Sequence, residues 1–250
     1  MNYKLEGSGE TIVFIHGLSD NLLYWEFLAS NLKNDYQVLR IDLRGHGESE
    51  LGNDEISIEL FVNDLYSLLK ELDISKVHLI GFSLGGAVAL EFTVMYPETV
   101  DSLVLMSSFC KVGEDLANVF VKFRKSLEIS FEEFYNLILP MVLCSDVIDN
   151  NKEELEMLKD IASQTADTDA YIKAIDACLD FNVESELSEI NVPTLVLAGR
   201  YDDITSVKSQ IELKNKIRNS KIFIFDDLKH NLLVGENNQG ILDILKNEYE

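Results

Sequence analysis

The sequence predicts an α/β fold: a mostly parallel central sheet with helices on both faces, and an all-helical cap inserted between two strands. Three observations lead there. Short, nearly continuous apolar runs alternate with longer amphipathic stretches, as strands covered on both faces alternate with crossover helices. The alternation lapses over 110–190, where helical patterns follow one another without a strand, and resumes at Val192-Pro193. A glycine-rich turn, Gly81-Phe82-Ser83-Leu84-Gly85-Gly86, joins a strand directly to a helix.

Taken in order, Tyr3–Glu6 reads as an edge strand that turns at Gly7-Ser8-Gly9 into the next one. Thr11–Ile15, Gln37–Ile41, Val77–Ile80, Leu103–Met106, Thr194–Ala198 and Ile222–Phe225 are the other short, β-rich runs. Ile58, Phe61, Val62, Leu65, Leu68, Leu69 and Leu72 recur at i, i+3, i+4 and i+7 and predict a helix. Leu84–Met95 is apolar nearly all round and ends before Pro97. Ile211–Ile217 and Gly240–Tyr249 close the series. Within the lapse, helical patterns cover Glu114–Leu127, Phe131–Leu143, Lys152–Ser163 and Asp169–Phe181. The division expected is a core of 1–109 and 191–250 with a cap of 110–190. Such a cap sits over the sheet's carboxyl edge, where ligands bind in these sheets.

Composition narrows the classes. With 250 residues, 46% hydrophobic and 26% charged, the chain can bury a sizeable core. The net charge of −23 repels nucleic acid and anionic membranes, so neither is expected as a partner. No apolar run reaches the roughly 18–20 residues that span a bilayer. No secretory pattern is visible at the N-terminus, and the cytoplasm is the expected compartment. Monomer and dimer are left equally open. Cys110, Cys144 and Cys178 form no CxxC pair and lie near no histidine, which speaks for structural thiols and against a zinc site or disulfide framework.

The chemistry centres on Ser83. G-x-S-x-G between a strand and a helix makes a turn so tight that the residues two before and two after the serine must be tiny, as Gly81 and Gly85 are. The helix N-terminus beneath the serine supplies N–H groups and partial positive charge where an oxyanion would form. A serine nucleophile needs a base, and there are four histidines. His78 lies inside a strand, His46 in the turn Arg44-Gly45-His46-Gly47, and His16 at the end of the first central strand, where it suits bracing the loop better than taking protons. His230 follows the last strand, on the same edge as Ser83, and is the expected base. The carboxylate that orients it comes from Asp202 or Asp203, both at the end of strand Thr194–Ala198; residue physics alone leaves the two open. The oxyanion donors expected are the backbone N–H groups of Leu84 and Leu18.

Several stretches resemble the α/β-hydrolase superfamily: Phe14-Ile15-His16-Gly17 with Trp25 following, Asp42-Leu43-Arg44-Gly45-His46-Gly47-Glu48-Ser49, the Gly81–Gly86 turn, Gly199–Asp202 and the late His230. The Asp42–Ser49 stretch is similar to the lid-bearing small esterase, lactonase and C–C hydrolase branch. The resemblance implies that Asp202 is the acid and that the helical insertion is the family's cap. The sequence departs from it at Ile204-Thr205-Ser206, where relatives commonly carry a proline, and Ser83 excludes a dehalogenase, which needs an aspartate there.

The expected activity is hydrolysis of a carboxylic ester or similar acyl bond of a small, largely apolar substrate, with no metal and no organic cofactor. Expected walls are Phe82, Trp25, Leu18, Phe109 and Leu232 from the core, with Phe131, Phe134 and Met141 from the cap. A C–C bond or enol-lactone hydrolase would use the same triad, and for a carboxylated substrate would call on Lys111, Lys122, Arg124 or Lys125. A slow-turnover signalling receptor on the same fold is the reading from another class.

Overall fold

A computed structural model of the chain describes residues 1–249. Seven strands form one sheet: β1 (Tyr3–Gly7), β2 (Thr11–Ile15), β3 (Gln37–Ile41), β4 (Val77–Phe82), β5 (Val100–Met106), β6 (Thr194–Gly199) and β7 (Ser220–Phe225). Their spatial order is β1-β3-β2-β4-β5-β6-β7. All neighbours are parallel except β1, which runs antiparallel to β3. The turn at Gly7–Gly9 therefore does not make a hairpin with β2. Both edges of β2 are taken by parallel partners, so the first strand extends the sheet at β3.

Among the described residues, ten α-helices connect or follow these strands: α1 (Glu26–Leu32), α2 (Ile58–Glu71), α3 (Leu84–Met95), α4 (Glu114–Leu127), α5 (Phe131–Val142), α6 (Ser145–Asn150), α7 (Lys152–Thr165), α8 (Thr168–Leu179), α9 (Val207–Lys216) and α10 (Asn237–Tyr249). The strands and most of the longer helices lie where the sequence patterns put them; α9 begins at Val207, ahead of the expected Ile211, and ends at Lys216. α1 and α6 do not stand out in the sequence, since seven and six residues are too few to display a helical period.

Alternation along the strands divides the interior. Ile12, Phe14, Ile80, Val104 and Leu197 point to one face and pack with Leu28 and Leu32 of α1 and Ile241 and Leu245 of α10. Val13, Ile15, Leu79, Leu105 and Val196 point to the other and pack with Phe61 and Leu65 of α2 and Val88 and Phe92 of α3. This second core runs without a break into the helical segment between β5 and β6, through Phe109, Phe120, Phe123, Phe131, Phe134 and Ile175. Arg40 of β3 is fully buried and is held between Glu6 of β1 at 2.7 Å and Glu26 of α1 at 2.6 Å. The pair of carboxylates partners the buried guanidinium and ties the edge strand to α1.

Cys110, Cys144 and Cys178 are free thiols, and burial pushes the Cys110 and Cys178 thiols up, away from thiolate chemistry. Among the described residues, no helix is long and apolar enough to cross a membrane.

Candidate active site

β4 ends at Phe82 and α3 begins at Leu84, leaving Ser83 alone in the turn with φ 51° and ψ −115°. That conformation is costly for any residue with a Cβ. It persists because its surroundings are fixed. A methyl group on Gly81 would run into the Gly85 carbonyl, and one on Gly85 would strike the carbonyls of Ile15 and His16. The absence of a side chain at Gly85 thus lets the start of α3 press against the end of β2, drawing the loop after His16 toward Ser83. From the other side, the Ser83 N–H donates to Met106 O at 2.9 Å and the Ser108 hydroxyl donates to Ser83 O at 2.9 Å.

His230 lies in the loop after β7, 3% exposed. Its Nε2 is 3.0 Å from Ser83 Oγ and its Nδ1 is 2.8 Å from Asp202 Oδ2. Asp202 and Asp203 part company in space. The Asp202 side chain is wholly buried, whereas that of Asp203 is 58% exposed and pairs with Lys229 at 2.7 Å. Asp202 also accepts the N–H groups of Ile204 and Thr205 on Oδ1 and the Thr205 hydroxyl on Oδ2, each at 2.8 Å. These bonds satisfy a carboxylate that is shut off from water. The His230 loop is clamped from both sides: Asn231 donates its N–H to Val142 O at the end of α5 (3.0 Å), and its Oδ1 accepts the Tyr24 hydroxyl (2.9 Å).

The other histidines face inward. His16 Nδ1–H donates to Gly17 O at 2.7 Å while Nε2 accepts the Leu43 N–H at 3.0 Å, so the ring is neutral. Burial lowers it from 6.5 to about 4. His46, 5.3 Å from the His16 ring, is pushed down to about 3, first by burial and then because two neighbouring imidazoles disfavour being charged together. Both brace the loops of β2 and β3. His78 Nδ1 meets Ser102 Oγ at 2.8 Å across the sheet.

Leu84 is the first residue of α3, where backbone N–H groups have no acceptor within the helix. Leu18 is half-buried in the loop after β2. Phe82 stacks on Tyr24, with ring centroids 4.8 Å apart at 13°, and lies 5.2 Å from the His230 ring. Phe109 packs edge-on to Phe120 and Phe181; Phe131 and Phe134 pack together, and Phe131 also meets Tyr171 of α8. Met141 is half-buried against the same cluster.

Two of the expected walls are fully buried. Trp25 and Leu232 are 0% exposed in the core under α1 and α10; Trp25 backs Phe14 and Tyr24, because its short helical turn folds it beneath the sheet's end. The basic residues considered for a carboxylated substrate also face outward. Lys111 pairs with Glu184 at 2.6 Å, Arg124 pairs with Asp176 at 3.0 Å, and Lys122 and Lys125 are exposed. Four residues at the site did not stand out in the sequence: Asp20, Tyr24, Tyr171 and Thr205. Thr205 lies within the stretch Ile204-Thr205-Ser206 where the sequence departs from the resemblance. Among the described residues, no group of histidine, cysteine and carboxylate side chains is placed to hold a metal ion.

The sheet order, the strained turn and the histidine loop define an α/β protein that presents one serine at the carboxyl edge of its sheet. The chain belongs to the alpha/beta hydrolase fold family, whose model matches residues 10–236. It is 37% identical over 142 residues to an uncharacterised protein of Mycobacterium tuberculosis, a match spanning 56% of this chain and 40% of that one. It is 32% identical over 221 residues to a Pseudomonas syringae protein provisionally named a carbamate hydrolase, covering 86% and 85% of the two chains. An alpha/beta hydrolase enzyme from a Medee basin deep-sea metagenome superposes with TM-score 0.92 at 19% identity, over 99% of this chain and 93% of the other; that likeness concerns the fold alone.

Proposed function

We propose that the protein is a serine hydrolase that cleaves a carboxylic ester or similar acyl bond of a small, largely apolar substrate. The observation that carries this reading is the continuous relay from Ser83 Oγ to His230 Nε2 (3.0 Å) and from His230 Nδ1 to Asp202 (2.8 Å). With Nδ1–H donated to the carboxylate, Nε2 holds a free lone pair for the Ser83 proton. Ser83 Oγ then adds to the acyl carbon as that proton passes to Nε2. The N–H groups of Leu84 and Leu18 receive the oxyanion. His230 returns the proton to the departing alcohol, leaving an acyl-enzyme, and next deprotonates the water that releases the acid. Asp202 holds the ring and stabilises its charged form.

The helices of 110–190 serve as the cap in this reading. Its support is the Asn231–Val142 bond and the aromatic layer of Phe109, Phe131, Phe134 and Tyr171 between sheet and helices. The carbamate in the name of the Pseudomonas syringae relative is an acyl group that the same relay attacks. With Lys111, Lys122, Arg124 and Lys125 turned outward, a dianionic C–C or lactone substrate has less to hold it.

The test is a burst-phase assay with p-nitrophenyl esters of increasing acyl length, wild type beside Ser83→Ala. A burst of nitrophenol and a loss of at least about a thousandfold in the variant are expected, since the triad acts as a unit. Variant activity within about tenfold of wild type would refute the assignment.

A further inference from the structure

We propose that Asp20 sets the charge specificity of this site, its carboxyl group standing beside the serine–histidine pair so that acyl groups bearing a carboxylate are rejected while neutral or cationic ones are admitted. The inference rests on the serine hydrolase reading and narrows its substrate class.

Asp20 closes the turn after β2, its N–H donating to Gly17 O at 3.3 Å, with Ser19 in the left-handed region at φ 61°. The turn aims the side chain back at the elbow. A methyl group on Gly17 would lie 2.9 Å from Phe82 Cδ1 and 3.1 Å from Asp20 Oδ2. The carboxylate, the Phe82 ring and the Gly17 backbone therefore converge on one point. Phe82 immediately precedes Ser83, and its ring reaches His230. The other groups that feel the Asp20 charge are His230 from the loop after β7, Tyr24 stacked on Phe82, and Tyr171 from α8 above. Asp20 thus sits where core and helical segment meet, facing the reacting serine's neighbours.

Among the described residues, none makes an ion pair or side-chain hydrogen bond with this carboxyl. Burial raises it from 3.8 to about 7, partly offset by His230. Asp20 is half-buried, and a second carboxylate brought beside it would meet a like charge that water screens only in part. The basic side chains of α4 cannot compensate, since Arg124 is engaged on the outer surface and Lys122 and Lys125 are exposed. An uncharged acyl chain meets no such repulsion, and an ammonium group would gain from the unpaired acid.

The test compares three esters of matched length: p-nitrophenyl butyrate, mono-p-nitrophenyl succinate and p-nitrophenyl 4-(trimethylammonio)butyrate, each rate taken above its release without enzyme, since the succinate carboxylate by itself displaces nitrophenol by closing the cyclic anhydride. They are assayed at roughly pH 8.5, above the carboxyl's midpoint, on wild type, Asp20→Asn and Asp20→Glu. The readout is the ratio of kcat/KM between esters, which a merely structural change moves little. Wild type is expected to disfavour the succinate ester by at least about tenfold relative to butyrate. Asp20→Asn should shrink that ratio about tenfold, and Asp20→Glu, which keeps the charge, should retain it. A wild type that takes succinate as readily as butyrate, or an Asp20→Asn ratio unchanged while butyrate is turned over, overturns the inference and leaves the esterase reading standing. If no ester is turned over, the esterase reading falls, and calorimetric binding of butylboronic acid against 3-carboxypropylboronic acid reads the same ratio. Boron takes up Ser83 Oγ, the hydroxyl proton passes to His230, and nothing departs.

Discussion

Thr205 gives Asp202 two hydrogen bonds, one from its backbone N–H to Oδ1 and one from its hydroxyl to Oδ2, each 2.8 Å long. Thr205 is thereby a positioning residue, acting on His230 through the carboxylate.

Thr205→Val keeps the backbone bond and removes the hydroxyl. Losing one bond to a charged group is worth about 1.5–3 kcal/mol, so kcat is expected to fall about tenfold or somewhat more. With its charge less dispersed, Asp202 should hold a protonated His230 more firmly and move the acid limb of the kcat/KM profile to higher pH. A variant with both kcat and that limb unchanged would deny Thr205 its role.

Ser83 sits at φ 51°, ψ −115°, a region that costs roughly 1–3 kcal/mol for a residue with a side chain. Ser83→Gly should therefore exceed Ser83→Ala in stability by about 1 kcal/mol, while both lose esterase turnover. Urea unfolding of the two variants side by side decides it. Equal midpoints would mean that the turn is not strained.

Acid should loosen the fold in a window set by the buried histidines. His16 and His46 fall from 6.5 to about 4 and about 3. The unfolded chain takes up protons near 6.5 that the folded chain refuses, so their contribution is complete above pH 6.5 and is lost as pH falls through the folded values. Asp20 has the opposite sign. Raised from 3.8 to about 7, it binds a proton earlier when folded, and its contribution is complete below 3.8 and lost as pH rises through 7. Two histidines outweigh one acid, and the net loss by pH 4 is on the order of 3 kcal/mol. Urea midpoints should drop between pH 6.5 and 4, and more steeply in Asp20→Asn. An equal slope in that variant would contradict the raised carboxyl.

Arg40 is fully buried between Glu6 and Glu26. Burial raises the Glu6 carboxyl, yet hydrogen bonds from Lys33, Arg40 and Lys4 bring it down to about 2. Arg40→Ala empties buried space and leaves Glu6 and Glu26, 20% and 49% exposed, without their partner, and should cost about 2–5 kcal/mol. Arg40→Met, which fills the space without charge, should cost less. Guanidinium unfolding that ranks the two variants the other way would show packing to be unimportant there.

The sequence by itself determined what short-range covalent geometry and periodicity encode. Gly81 and Gly85 announce the elbow because a tight backbone approach must be written as missing side chains. The apolar repeat of α2 and the runs of β2 to β7 announce elements long enough to show their period. The position of His230 after the last strand follows from chain order in a parallel sheet, where successive carboxyl ends share one edge. Tertiary structure alone decided the rest. Asp202 and Asp203 are chemically identical and adjacent, and only the burial of one against Thr205 and His230, with the other drawn out by Lys229, distinguishes them. β1 chose β3 because β2 had no edge left to offer. Trp25, aromatic and close to the His16 loop in sequence, became core because α1 folds it under the sheet. Asp20 was one acid among 44 acidic residues until folding half-buried it and placed Phe82, Tyr24 and Tyr171 near it. Desolvation and charge proximity are properties of the assembled neighbourhood, and no local pattern of residues records them.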